Sequence, residues 1–207
     1  MDGRLYAAAT QRNREPILGV LRGALQERGT VLEIASGTGE HAVWLAAKLP
    51  GIAIQPSDPD PDNRASIAAW VRFTGVPNVR APLAIDVEAP DWDAAPEIPR
   101  ALAAILCINM IHISPWAATL GLMRGAGALL APGGALYLYG AYKRGGAHTA
   151  PSNAAFDQSL RARDPDWGVR DLEAVTEAAE KAGLAPESVI EMPANNLSVI
   201  LRRRAGG

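Results

Sequence analysis

Residues Val31 to Glu40 read VLEIASGTGE, and no other segment restricts the possible folds as strongly. Val31, Leu32 and Ile34 form a short apolar run of strand type, with an acid, Glu33, inside it. The run breaks into Ala35-Ser36-Gly37-Thr38-Gly39, and helical spacing follows at once, with Ala42, Leu45, Ala46 and Leu49 as its stripe. A strand that opens through a glycine-rich turn onto a helix start aims free backbone N–H groups at one place. Glycine also lets the backbone approach a bound molecule closely. Such a unit belongs to α/β folds that hold nucleotides at the carboxyl ends of their strands. Ala35 stands at the first turn position, and alanine there predicts less extreme backbone angles than glycine would.

The rest of the chain alternates in the same way. Ile17, Leu18, Leu21 and Leu25 are helically spaced, and Gly29 ends that helix. After the first strand, Thr30 to Ala35, strands are expected at Ile52–Ser57, Val79–Ile85, Leu102–Ile108 and Ala135–Tyr139. Asp60 followed by Pro61 predicts an N-cap and a helix to about Thr74, and Ser114-Pro115 repeats that signature for a helix to about Leu130. Residues 140–168 form a polar insert with a helix expected over Asn153–Arg163. A last helix, striped by Leu172, Val175, Ala179 and Ala182, ends at Gly183. Ser188–Met192 and Leu197–Arg202 then flank a short Pro193–Asn196 connection, which makes them a hairpin, and the run Arg202–Gly207 reads as a frayed end. The expectation is one α/β domain over residues 1–207: a doubly wound, mostly parallel seven-stranded sheet with a C-terminal antiparallel hairpin, Rossmann-like.

Composition narrows the function classes. With 207 residues, 48% hydrophobic, the chain can bury a substantial core. A net charge of −2 gives no electrostatic footprint for nucleic acid. No apolar stretch is long enough to span a membrane, and no leader pattern opens the chain. The lone Cys107 allows neither a disulfide framework nor a cysteine metal cluster, and the three histidines lie far apart, so no metal site is expected. These readings predict a cytoplasmic protein with a small-molecule partner and no nucleic-acid or membrane partner. They leave the oligomeric state open.

Taken together, these segments resemble the class I S-adenosylmethionine-dependent methyltransferases over nearly the whole chain. VLEIASGTGE resembles the first motif of that family, with an acidic strand residue ahead of a Gly-x-Gly turn. Asp58 stands where the family places the carboxylate for the ribose hydroxyls, and Asp86 where a side chain flanks the adenine. Ile108–Ile113 resembles the fourth-strand exit, and LLAPGGALYLYG the turn into the fifth strand. Gln11–Ile17, ASGTGEH, Gln55–Asp58 and Tyr142–Gly146 are similar to an uncharacterised methyltransferase-like family with eukaryotic members, whose methyl acceptor is not established. The resemblance implies S-adenosylmethionine as cofactor, bound by Glu33, Ala35, Gly37, Gly39, His41, Asp58, Asp86 and Asn109.

Physical chemistry agrees with that implication. S-adenosylmethionine offers a ribose diol, a sulfonium, an ammonium and a carboxylate, but no phosphate. Asp58 can accept both ribose hydroxyls and Glu33 can face the methionine end, each charge-assisted bond contributing roughly 1.5–3 kcal/mol. Of the aspartates in Ser57–Asp62, Asp60 is assigned to the helix cap and Asp58 to the ribose.

The acceptor side is less determined. Asn109 either orients the acceptor, touches the cofactor or closes a strand end. His112 is a candidate general base, or else bonds a loop carbonyl. The insert is expected to be a substrate lid, offering Tyr142 for catalysis and Lys143, Arg144 and Asn153 for binding, unless these side chains only form surface ion pairs. The segment Arg12-Asn13-Arg14 either caps the cofactor or opens the first helix. Two rival functions are carried. One is a non-catalytic S-adenosylmethionine-binding partner protein. The other is an NAD(P)-dependent oxidoreductase, suggested by Tyr139 and Lys143. At ~3.3 Å per residue those two separate by about 13 Å on an extended chain, against one turn on a helix.

Overall fold

The computed structural model describes residues 2–204. In chain order these form α1 (Ala8–Ala24), β1 (Gly29–Ile34), α2 (Glu40–Lys48), β2 (Ile52–Pro56), α3 (Pro61–Thr74), β3 (Leu102–Ile108), α4 (Trp116–Leu129) and β4 (Leu130–Gly140). Then follow β5 (Tyr142–Arg144), β6 (Ala147–His148), α5 (Pro151–Arg163), β7 (Arg170–Asp171), α6 (Leu172–Lys181), β8 (Leu184–Met192) and β9 (Asn196–Arg203).

The main sheet has the order β2-β1-β3-β4-β9-β8. β1 to β4 are parallel, whereas β9 inserts antiparallel between β4 and β8. β3, LAAILCI, is buried along nearly its whole length, as a strand covered on both faces must be. Successive residues of β1 feed opposite layers. Leu32 and Ile34 pack toward Leu122, Met123 and Ala126 of α4 and Val175 and Ala179 of α6. Val31 packs toward Ile17 and Leu21 of α1 and Leu45 of α2. Strand alternation therefore puts Glu33 on the α1–α2 side of the sheet, among apolar groups.

The fold class is the expected one, with one strand fewer. Val79–Ile85 does lie beside β2, but only as two isolated bridges, Ile54 to Val79 and Ser57 to Leu83. Pro82 supplies the reason: it has no N–H to give a ladder, and the carbonyl of Ala81 is taken by the Gln55 amide at 2.7 Å. Among the described residues the sheet proper has six strands.

Asp60 caps α3 as expected, accepting from Asp62 N–H at 2.8 Å, with Pro61 in the first turn. Asp60→Ala should cost about 1 kcal/mol, a fall of ~3 °C in melting temperature by calorimetry. Ser114 does not cap α4. Its hydroxyl donates backwards to Met110 O at 2.9 Å, and Pro115 occupies the cap position without a side-chain bond. Arg202 and Arg203 are not frayed but belong to β9, where Arg202 pairs with Glu187 and donates to Ala24 O at 2.8 Å. Ala205–Gly207 lie outside the described residues.

The insert is folded. β5 pairs with β6 and β7, and α5 begins at Pro151, two residues before the expected Asn153. Its centre is Asp157, which meets Lys143 Nζ at 3.1 Å, His148 Nε2 at 3.3 Å and the Val169 N–H at 2.7 Å. Burial opposes that charge, but the Val169 N–H, Lys143 and Arg161 together hold the carboxyl below its usual pKa. The end of the insert and β7 grip the loop after β3: Gly168 N–H donates to His112 O at 3.0 Å, and Arg170 of β7 to Ile111 O at 2.9 Å.

Candidate active site

The β1–α2 turn is set by two hydrogen bonds. Ser36 N–H donates to Ser57 O at 2.8 Å, and Gly37 N–H to Asp58 Oδ2 at 2.8 Å. To satisfy both, the chain must reverse at Ala35, which takes φ 53, a left-handed angle. This corrects the milder geometry expected of alanine. The turn needs that conformation, at a cost of roughly 1–2 kcal/mol for an L-residue. The two glycines serve different sides. A Cβ on Gly37 would meet nothing within 4 Å, so space for a ligand lies over it, whereas one on Gly39 would stand 2.8 Å from Ile67 Cα of α3. Gly39 N–H is also used internally, donating to Ser36 O at 3.1 Å. Gly39 thus lets α3 pack against the turn and does not open on the cleft.

Beside the turn runs a cleft at the carboxyl ends of β1, β2 and β3. Ala35, Asp58, Asp86, Met110 and Ser114 line it, with Ile34, Ile85, Val87, Ile113 and Ala118 as apolar walls. Asp58 is buried. Its Oδ1 accepts from Asp60 N–H at 3.0 Å and Asn63 Nδ2 at 3.1 Å, and its Oδ2 from Gly37 N–H. One acceptor position on Oδ2 remains, so a second bond requires Asn63 to give way. Asp86 stands exposed at the rim, accepting from Glu88 N–H at 2.9 Å.

Glu33 is the unusual group. It is 2% exposed, and its Oε2 has no hydrogen-bond partner among the described residues. Burial, with the charge of Asp58 nearby, pushes its pKa up to about 7, against a weaker opposing bond from Ser36. A buried carboxyl with an unfilled acceptor position is one that a cationic group would stabilise.

A second cavity adjoins the cleft, sharing Ile113 with it. It is lined by Arg12 and Asn13 of α1, Asn109 and His112 after β3, Tyr139 of β4, Phe156 of α5 and Asn196 of β9, among others. Asn109 takes φ 63 and donates its N–H to Tyr139 O at 2.8 Å, which fastens the ends of β3 and β4 together. His112 is 1% exposed and edge-on to Phe156, with ring centroids 5.6 Å apart. A Cβ on Gly140 would lie 2.2 Å from its Cε1, so only glycine leaves room for the ring. Burial and the nearby Arg170 lower the His112 pKa to about 4. Its Nδ1 is sealed without a partner among the described residues, leaving Nε2 as the nitrogen that can meet a ligand. A neutral imidazole of this kind accepts a hydrogen bond but binds a proton poorly.

His41 does not line the cleft. It is buried behind α1, its Nε2 2.8 Å from Asn13 Oδ1, and burial, with Arg14 nearby, lowers its pKa to about 4. The neutral ring carries its proton on Nε2 and donates it, fixing the Asn13 amide, which lies with Asn196 against the Tyr139 hydroxyl.

The insert residues fall elsewhere. Tyr142 turns inward on β5 and is fully buried in the α4–α6 layer. Burial and Cys107 hold its hydroxyl well above the ordinary phenol pKa, and it faces neither cavity, which removes it from catalysis. Lys143, on the other face, pairs with Asp157 and borders a groove with Trp116 and Arg170. Asn153 is buried, donating to Thr149 Oγ1 at 3.0 Å and Asn195 O at 2.9 Å, and is a structural tie. Arg144 lines a neighbouring cavity with Glu191 and Asn195. Tyr139 in β4 and Lys143 therefore do not face one site, as a Tyr-Lys dehydrogenase pair would have to. Phe156 and Asn196 are not foreseen as site residues by the sequence, and Tyr139 only as half of a dehydrogenase pair. Tyr139 was legible as the last side chain of a strand at the ligand-binding edge. No sequence signal marked the other two.

Residues 4–203 match one family model, described as a protein of unknown function (DUF938). Among solved structures, an O-methyltransferase family protein from Burkholderia thailandensis superposes with a TM-score of 0.80 at 18% identity, covering 96% of this chain and 58% of that one. Human N-acetylserotonin methyltransferase in complex with S-adenosylmethionine gives 0.77 at 12% identity, covering 95% and 53%. A Galdieria sulphuraria protein assigned as a sarcosine dimethylglycine methyltransferase gives 0.72 at 15% identity, covering 98% and 92%. The chain spans just over half the length of the first two of these structures. These likenesses identify the fold as that of S-adenosylmethionine-dependent methyltransferases.

Proposed function

The chain belongs to the DUF938 family of proteins of unknown function, and from that premise we propose that it is an S-adenosylmethionine-dependent methyltransferase acting on a small-molecule acceptor. The observation that carries the reading is a cleft beside the open flank of Gly37 that is lined by Asp58, which keeps one free position on Oδ2, with a second acid, Glu33, buried on the strand that leads into the turn and without a partner for its Oε2 among the described residues. A ligand with a diol at one end and an ammonium group at the other satisfies both, whereas a pyrophosphate would be repelled by them. The apolar walls of the cleft, Ile85, Val87, Met110 and Ala118, suit a flat heterocycle.

When bound, the cofactor supplies a methyl carbon on a cationic sulfur; transfer breaks that C–S bond, returns its electron pair to sulfur, and bonds the carbon to the acceptor. The chain's own residues position the acceptor in the cavity around Asn109, which adjoins the cleft at Ile113. His112, neutral at pH 7, serves there as a hydrogen-bond partner rather than a proton store, so the acceptor proton leaves to solvent.

Calorimetric titration with S-adenosylmethionine, S-adenosylhomocysteine and NADH tests the reading. Micromolar binding of the two adenosyl ligands without NADH is expected. Binding of NADH alone, or silence from all three, overturns it.

A further inference from the structure

The second cavity has an uneven inventory of charge. Among its lining residues there is no carboxylate, and its one formal charge is Arg12. Arg12 is exposed, and among the described residues it makes no ion pair and no side-chain hydrogen bond. The remaining polar groups are neutral: the amides of Asn13, Asn109 and Asn196, the Tyr139 phenol and the His112 imidazole. The ring of Phe156, set edge-on to His112 at an interplanar angle of 75°, joins Ile113 and Pro193 as apolar wall. In the neighbouring cavity that shares Asn196, the charge of Arg144 is offset by Glu191, so no second unopposed cation adds to Arg12 there.

We propose that the acceptor is a planar monoanion, an aromatic or conjugated hydroxy-carboxylate, with its carboxylate on Arg12, its ring against Phe156 and its hydroxyl among Asn109, Tyr139 and His112. Each part answers one observation. An unpaired guanidinium at a cavity mouth offers a carboxylate a bidentate partner. A wall of amides, phenol and imidazole both donates to and accepts from a hydroxyl. A protonated amine finds no counter-charge and faces the Arg12 charge instead. A polyanion finds only one cation. A flat ring matches the aromatic wall.

The assignment rests on the methyltransferase reading for its function but not for its binding chemistry, so the two are separable. Titrations of 4-hydroxybenzoate, phenol and tyramine are run with and without saturating S-adenosylhomocysteine, on the full chain and on Arg12→Ala. The hydroxybenzoate is expected to bind at least tenfold tighter than phenol, with tyramine weakest. Arg12→Ala should bring the hydroxybenzoate down to the level of phenol, leaving S-adenosylhomocysteine affinity and melting temperature unchanged. Tyramine matching the hydroxybenzoate, no binding of any probe, or an advantage that survives Arg12→Ala overturns the proposal. Selectivity that persists in a protein unable to bind S-adenosylhomocysteine supports the cavity assignment while overturning the cofactor reading.

Discussion

Glu33→Gln is expected to stabilise the ligand-free protein at pH 8 by about 2–3 kcal/mol, roughly 8 °C in melting temperature, while weakening S-adenosylmethionine binding. The cause is the position of Glu33 on β1, where burial without a partner for Oε2 lifts its pKa from 4.5 to about 7. A folded-state pKa above the unfolded value means that ionisation works against the fold. The contribution of Glu33 is intact below pH 4.5, declines as the pH rises toward 7, and is lost above it. A glutamine side chain at this position has nearly the same shape and no charge to strand. The wild type and the variant should therefore have similar stability near pH 4.5, diverge up to pH 7, and differ by a constant amount beyond.

Two histidines tilt the profile the other way. His41 and His112 are shifted down from 6.5 to about 4, so both gain stability for the fold as the pH rises through that interval. They are present in both proteins and cancel in the difference, which is why the difference is the quantity to measure, by thermal melts at several pH values. A gap that does not change with pH would mean that Glu33 has a partner or reaches water. Retention of a destabilising carboxyl is intelligible if a bound cation completes its coordination. For that reason the same variant should lose affinity for the ligand while gaining melting temperature without it.

The sequence carried the scaffold well because the scaffold depends on short-range patterns. Apolar runs marked β1 and β3, Asp60-Pro61 marked the start of α3, and the short link at Pro193–Asn196 marked the β8–β9 hairpin. The misreadings came where one local rule competed with another. Val79–Ile85 has strand composition, yet Pro82 removes a donor that an edge ladder needs. Ser114-Pro115 has a cap signature, yet the serine hydroxyl finds the nearer Met110 carbonyl. Ala35 is a poor residue for a left-handed turn and adopts one because Ser57 and Asp58, on the neighbouring strand end, hold the next two N–H groups.

The site divided along the same line. Glu33, Gly37 and Asp58, on which the proposed cofactor site rests, stand out in the sequence because they belong to one contiguous motif and the strand beside it. The second cavity draws on α1, the loop after β3, β4, α5 and β9, and no local pattern specifies which side chains of five separate segments converge. Tyr142 and Asn153 illustrate the limit. Both lie at polar-looking positions of the insert, yet one faces the core and the other ties two loops, because β5 and α5 pack as folded elements rather than as a free lid.

Asp58→Ala should reduce S-adenosylmethionine affinity about 30- to 100-fold, equivalent to ~2–3 kcal/mol. Two effects act together. The variant loses the free acceptor position on Oδ2, a charge-assisted bond to a ligand hydroxyl. It also leaves the N–H groups of Gly37 and Asp60, and the Asn63 amide, without their present partner, so the turn loses the bond that fixes Gly37. That second effect appears without ligand, as a stability loss of roughly 1–3 kcal/mol. Asp58→Asn separates them, since an amide oxygen can still accept from Gly37 N–H while the charge is gone. Its amide nitrogen then faces the Asp60 N–H, from which it cannot accept, and the Asn63 amide, so the asparagine variant should recover only part of the stability and still lose about tenfold in affinity. The loss of the Asp58 charge also relieves Glu33, whose pKa that charge helps to raise. The pH-dependent gap opened by Glu33→Gln should therefore narrow in an Asp58→Asn background. Full ligand affinity in a folded Asp58→Ala protein would remove Asp58 from the ribose site, and an unchanged gap would show that the two acids act independently.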